Sequence, residues 1–205
     1  RSGDARKRQT ESDEAGWLLG VAVTVRLVPG PAGTVAAVLA GEPGAVAAAA
    51  SQQYEEVWQQ PLSETGDLAV ATMNQDEGQT WQQLANALAS AETALRPGGA
   101  IVVCSQLAEL PGPAVRTLGG NRDYAQLTQS LKRVRAFDKH IALQLCGALE
   151  RGAVYLNSHL PSDLVEELGF TPIESASELQ RLTESYEKVI VLEEAHRLVL
   201  QVSGE

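Results

Sequence analysis

The chain has 205 residues, 44% hydrophobic and 20% charged, which is enough apolar material for a packed core and argues against a disordered or low-complexity protein. Its net charge of −10 works against binding a phosphate backbone, so no nucleic-acid partner is expected. No apolar run approaches the roughly 20 residues that a membrane span needs, and the start is polar rather than basic-then-apolar, so a cytoplasmic, membrane-free protein is expected.

Residues 1–13 are polar and read as a tail or a truncated connection; the chain opens on Arg1-Ser2-Gly3 without methionine, which suggests sequence upstream. The β-branched run 21–28, the turn Pro29-Gly30-Pro31-Ala32-Gly33 and the return 34–39 predict a β-hairpin. Pro43 then opens an alanine-rich helix running to about residue 60. Residues 67–72 predict a buried strand, 73–78 a polar loop, and 79–95 a helix with Leu84, Ala87, Leu88, Ala91 and Leu95 on one face. Pro97-Gly98-Gly99 stops that helix before the strand 100–104, which completes a βαβ unit.

Further on, helices are expected near 112–119, 123–135, 138–150 and 175–186, with a short one starting at Ser162-Asp163 and stopping at Gly169. Strands are expected at 153–156 and 189–192, and 197–202 reads as a last strand at an edge. The fold class that follows is α/β: a three-layer arrangement with a mixed, largely parallel sheet, helices on both faces and an N-terminal β-hairpin in front. Residues 14–205 read as a single domain, with 14–60 as a hairpin-plus-helix subregion and 61–205 as a Rossmann-like part.

Few side chains announce chemistry. His140, His159 and His196 are far apart and none has a second histidine at metal-ligand spacing, so no metal site is expected in this chain. Cys104 and Cys146 sit in apolar runs and read as buried free thiols. HExxH, CxxC, GxSxG and the glycine-rich phosphate loops are all missing. Arg6-Lys7-Arg8, the trio Lys132, Arg133 and Arg135, and Glu193-Glu194 beside His196 read as solvated charge.

The informative segment is 74–83, Asn-Gln-Asp-Glu-Gly-Gln-Thr-Trp-Gln-Gln, at the carboxyl end of a predicted parallel strand, where open α/β sheets place ligands. A helix start there offers free N–H groups to a carboxylate, and amides or an indole can bond hydroxyl and carboxylate oxygens without adding charge. The same residues also suit a polar loop in which Glu77 or Thr80 caps the helix.

Several segments in order resemble the C-terminal half of the lactate racemase family. They are 14–20 (Glu-Ala-Gly-Trp-Leu-Leu-Gly) running into 21–29, then 35–39 leading into Ala40-Gly41-Glu42 and a helix. After these come 67–72, a polar loop, a helix carrying Trp81-Gln82, and 94–101 (Ala-Leu-Arg-Pro-Gly-Gly-Ala-Ile). The resemblance covers residues 14–105 well and the rest loosely. It implies an enzyme that inverts the α-carbon of a 2-hydroxy acid by hydride transfer to a nickel-pincer nucleotide. That cofactor and the catalytic residues belong to an upstream N-terminal domain, so this chain is expected to carry no catalytic residue, to bind no cofactor alone, and to close over the site.

The resemblance makes Trp81, Gln82, Asn74 and Gln75 the expected substrate-binding residues; Trp81 takes the family's aromatic position and Gln82 its glutamine. The family's lysine, three residues further on, is replaced by Ala85, which puts lactate itself in doubt as substrate. Two other readings compete: a stand-alone interaction or regulatory α/β domain, and a methyltransferase-like domain suggested by 67–72 and 95–102. The second lacks the acidic glycine-rich loop after a first strand.

Overall fold

The computed structural model describes residues 10–11, 14–74 and 78–202, and the chain divides into two compact units, one ending at Gln59 and the other starting at Gln60. In the first unit, β1 (Thr24–Pro29) and β2 (Val35–Gly41) pair antiparallel, with a register shift after Val28. The turn between them places Ala32 at φ 52 and Gly33 at φ 74, a left-handed pair that reverses the chain tightly. The helix α1 (Pro43–Trp58) follows, with Pro43 in its first turn and the Glu42 carboxylate accepting from the N–H groups of Gly44 and Ala45 at 3.0 and 2.8 Å. Those two bonds hold the exposed Glu42 carboxyl below its ordinary range. At its other end the Trp58 indole donates to the Pro29 carbonyl at 2.8 Å and ties the helix to the hairpin.

The second unit is built on a five-stranded sheet. In chain order its strands are β4 (Gly66–Thr72), β5 (Leu95–Cys104), β6 (Val154–Asn157), β7 (Thr171–Pro172) and β8 (Val189–Leu192). Their spatial order is β7-β6-β5-β4-β8, and all four pairings are parallel. The hairpin that precedes it in sequence pairs antiparallel, as the sequence led us to expect. Two further strands, β3 (Gln59–Leu62) and β9 (Val199–Val202), form a separate two-stranded sheet. The expected last strand is therefore real but lies outside the main sheet, whose edges are β7 and β8.

Alternation along the strands explains why they are almost wholly apolar. Leu68, Val70, Ala100 and Val102 face a smaller core with Ile173, closed by Leu179, Leu182 and Tyr186 around α7 (Ala176–Glu184). Ala69, Ala71, Ile101 and Val103 face the larger core, packed by α2 (Trp81–Thr93) and α5 (Lys139–Arg151), with α3 (Pro113–Arg116), α4 (Tyr124–Leu131) and α6 (Ser162–Glu167) adding Val115, Leu127 and Val165. A strand buried on both faces has no polar side to show, which is the signature of a parallel sheet. Both cysteines report this environment: Cys104 is half-buried and Cys146 buried, and desolvation pushes both thiols up. No helix among the described residues is long and apolar enough to cross a membrane.

The two rims of the sheet differ. At the amino ends of the strands, Ala94 alone separates α2 from β5, and Gly152-Ala153 alone separate α5 from β6. Packing is close there: a Cβ on Gly152 would stand 2.5 Å from the Gly99 carbonyl oxygen. Pro97-Gly98-Gly99, expected to precede the strand, lies within β5, where the register jumps from Gly66–Leu95 to Leu68–Ala100 and Gly98 takes φ +83. Glycine lets the strand bulge there without ending it. At the carboxyl ends, by contrast, eight residues of sequence separate β4 from α2 and eight separate β5 from α3.

Candidate functional site

The strand order reverses between β4 and β8, and the carboxyl ends of parallel strands at such a reversal are where a crevice opens. Two segments flank it. One is the connection from β4 into α2, of which Gln75, Asp76 and Glu77 lie outside the described residues. The other is the turn after β8, where Glu194 adopts φ 47 and the Ala195 N–H donates to the Thr72 carbonyl at 2.9 Å. An ion pair of 3.1 Å between Arg197 and Glu194 braces that turn. His196 is buried beside Ala195, so the stretch expected to be a solvated charge run is folded inward at its histidine.

The start of α2 is closed by a capping box. Thr80 Oγ1 accepts from the Gln83 N–H at 3.3 Å, while the Thr80 N–H donates to Gln83 Oε1 at 2.9 Å. Of the two caps the sequence allowed, Thr80 is the one used. Gln79, just before it, is buried and joins two loops: its Nε2 donates to the Asn74 carbonyl, and its Oε1 accepts from the Gln106 N–H at 2.7 Å. Sequence reasoning passed over Gln79, although a glutamine preceding a capping box at a strand's carboxyl end is well placed to bridge neighbouring loops.

The expected substrate-binding residues separate into different roles. Trp81 is 3% exposed, with its ring in the larger core and its indole N–H donating to the Glu109 carbonyl at 2.9 Å. That bond ties α2 to the loop after β5. Gln82 is exposed, and its amide nitrogen reaches Asn86 Oδ1 at 3.0 Å and Gln144 Oε1 on α5 at 3.3 Å. Asn74 is half-buried, its carbonyl held by Gln79, and Gln75 falls outside the described residues. Ala85 is 1% exposed and faces the core with Leu84 and Leu88, so this position offers no room for a cation.

What the arrangement offers is a set of hydrogen-bonding groups beside the Glu194–Arg197 ion pair. The amides of Gln82 and Gln144 and the backbone of two cross-linked loops suit hydrogen bonds to an oxygen-rich ligand. Among the described residues no three His, Cys, Asp or Glu side chains converge as a metal set would require. A cavity of about 400 Å³ lies at the opposite rim, between Leu95, Gly99, Ala148 and Arg151, away from these groups. Both of its arginines are engaged, Arg151 with Glu92 and Arg96 with Asp67.

These features define a doubly wound α/β domain with a reversal of strand order between β4 and β8. No family model matches the chain, and no curated protein matches it. Among solved structures, the chain is similar over 92% of its length to lactate racemase apoprotein from Thermoanaerobacterium thermosaccharolyticum, with a TM-score of 0.77 and 17% identity. Over 88% of its length it is similar to a structural-genomics protein from Thermotoga maritima, with a TM-score of 0.63 and 14% identity. It spans 48% and 49% of those two chains, about half of each. At such identities the likeness is one of fold, and it bears out at that level the resemblance read from the sequence.

Proposed function

We propose that this chain is the C-terminal, substrate-closing domain of a lactate racemase-like enzyme that acts on a 2-hydroxy acid. The observation that carries the reading is Gln82, exposed at the capped start of α2 on a fold shared with lactate racemase apoprotein. In this reading the reaction is a hydride transfer to a nickel-pincer nucleotide held by an upstream N-terminal domain. None of that chemistry is assigned to the described residues, among which no three His, Cys, Asp or Glu side chains group together.

The chain's own part is to bind and enclose. Gln82, with Asn74 and Gln75, hydrogen-bonds the hydroxyl and carboxylate oxygens of the acid, and Trp81 positions the helix start by its bond to Glu109. Closing such a rim over a substrate excludes water and strengthens each of those bonds. With alanine at the family's lysine position, residue 85 itself supplies no cation for the carboxylate.

The test uses the intact protein with its native upstream sequence, assayed for interconversion of the two enantiomers of a panel of 2-hydroxy acids. Gln82→Ala is expected to lower turnover about tenfold or more while leaving the melting temperature nearly unchanged, since one exposed amide contributes little to folding. The isolated chain is expected to be inactive. Unchanged turnover in Gln82→Ala at both low and saturating substrate would sink the proposal.

A stand-alone interaction domain is the second reading. It draws support from the engaged indole of Trp81 and the buried Ala85, which leave the rim without strong ligand-binding groups.

A further inference from the structure

The cavity of about 400 Å³ at the amino ends of the strands has a cause in the sequence. Gly98-Gly99 and Gly152-Ala153 line it and project almost no side chain into it, and a Cβ on Gly98 would meet nothing within 4 Å. Its inner wall is the edge of the larger core: Ile101, Ala148 and Val154 are buried in that core, and Leu95 packs against it. A volume of this size falls in the range of small-molecule sites, roughly 300–1,000 Å³.

The lining narrows what such a molecule can be. Among the described residues that form it there is no serine, threonine, asparagine, glutamine or histidine, so a sugar or other polyol would find few partners for its hydroxyls. Nor does it hold an aromatic ring on which a nucleobase could stack. Its charged groups are Arg96, Arg151 and Glu92, two positive against one negative, in a chain whose net charge is −10. Arg96 pairs at 3.0 Å with Asp67, which lies outside the lining, and Arg151 pairs with Glu92, each through Nη1. Both arginine side chains are about half exposed. A guanidinium carries five N–H donors, so each can take a second carboxylate without giving up the first.

We propose that this cavity binds an aliphatic monocarboxylate, its chain against Leu95, Ile101, Ala148 and Val154 and its carboxylate at Arg96 and Arg151. An aliphatic chain matches walls whose side chains offer carbon contacts, and its burial supplies the affinity. One negative charge matches the single excess positive charge of the lining, whereas a dianion would leave charge unmatched. The site does not depend on the reaction proposed above, and it lies away from Gln82.

The experiment is a calorimetric titration of the intact protein with octanoate, run beside octanamide and acetate. The proposal expects one saturable site for octanoate, binding about tenfold or more weaker for octanamide, which lacks the charge, and none for acetate, which lacks the chain. In the double variant Arg96→Gln, Arg151→Gln, octanoate is expected to fall to the level of octanamide while octanamide stays unchanged. Folding should survive the change, since half-exposed ion pairs contribute little to it. Methyl NMR locates the site, because the Ile101 and Val154 methyl resonances should shift as octanoate is added. No saturable binding of octanoate overturns the proposal. So does octanoate binding that the double variant keeps in full, and so do Ile101 and Val154 resonances that stay in place at saturation.

Discussion

Single residues decide how well the candidate site is held. Gln79 bonds two backbone groups on different loops, the Asn74 carbonyl and the Gln106 N–H. Gln79→Ala is expected to cost about 1–3 kcal/mol, the range for stranding buried hydrogen-bonding groups, measured as a lower midpoint in urea at unchanged slope. Ala85 gives the converse lesson. Since it faces the larger core at 1% exposure, Ala85→Lys cannot restore the family's cation to the rim and instead buries a charge and four extra heavy atoms among Leu84 and Leu88. A loss on the order of 4 kcal/mol is expected, and a variant melting like the parent protein would show that α2 turns a different face outward. The cap on Thr80 was legible because a serine or threonine three residues ahead of Gln has a local cause. The role of Trp81 was not, because its partner, Glu109, is distant in sequence and the bond exists only once two loops meet.

At the scale of elements, the strands and longer helices could be read because their causes are local or periodic. Continuous apolar runs at 67–72 and 100–104 became β4 and β5, and the spacing of Leu84, Leu88 and Ala91 became the buried face of α2. Val102→Asp tests that map directly. Val102 is fully buried between β4 and β6, facing Leu68 and Val70, so an unpaired carboxylate there is expected to abolish folding. A soluble variant with a cooperative melt would show the strand assignment to be wrong. What eluded the sequence were elements defined by their partners. β7 spans only Thr171–Pro172, and β3 spans Gln59–Leu62 with two glutamines and a proline in place of an apolar run, and each pairs with a neighbouring strand. The helix at 123–135 shortened to Tyr124–Leu131 because the chain turns away after Leu131, a residue already buried in the larger core.

Over the whole molecule, the α/β class and parallel sheet followed from composition and alternation, whereas strand order had no local cause and emerged only from assembly. That order places the reversal beside the start of α2, the segment the sequence had already singled out. The unequal rims carry a consequence for how such a domain diversifies. With Ala94 alone between α2 and β5, the rotation of the helix about its axis is locked to the pleat of the strand that follows. One inserted residue there would turn α2 by about 100° or exchange the two faces of β5, and either change empties a core. The same insertion within 105–112, at the far ends of the strands, lengthens a loop and disturbs neither phase. Descendants of this fold are thus free to vary along one rim only, and new specificities accumulate there while the opposite rim stays fixed.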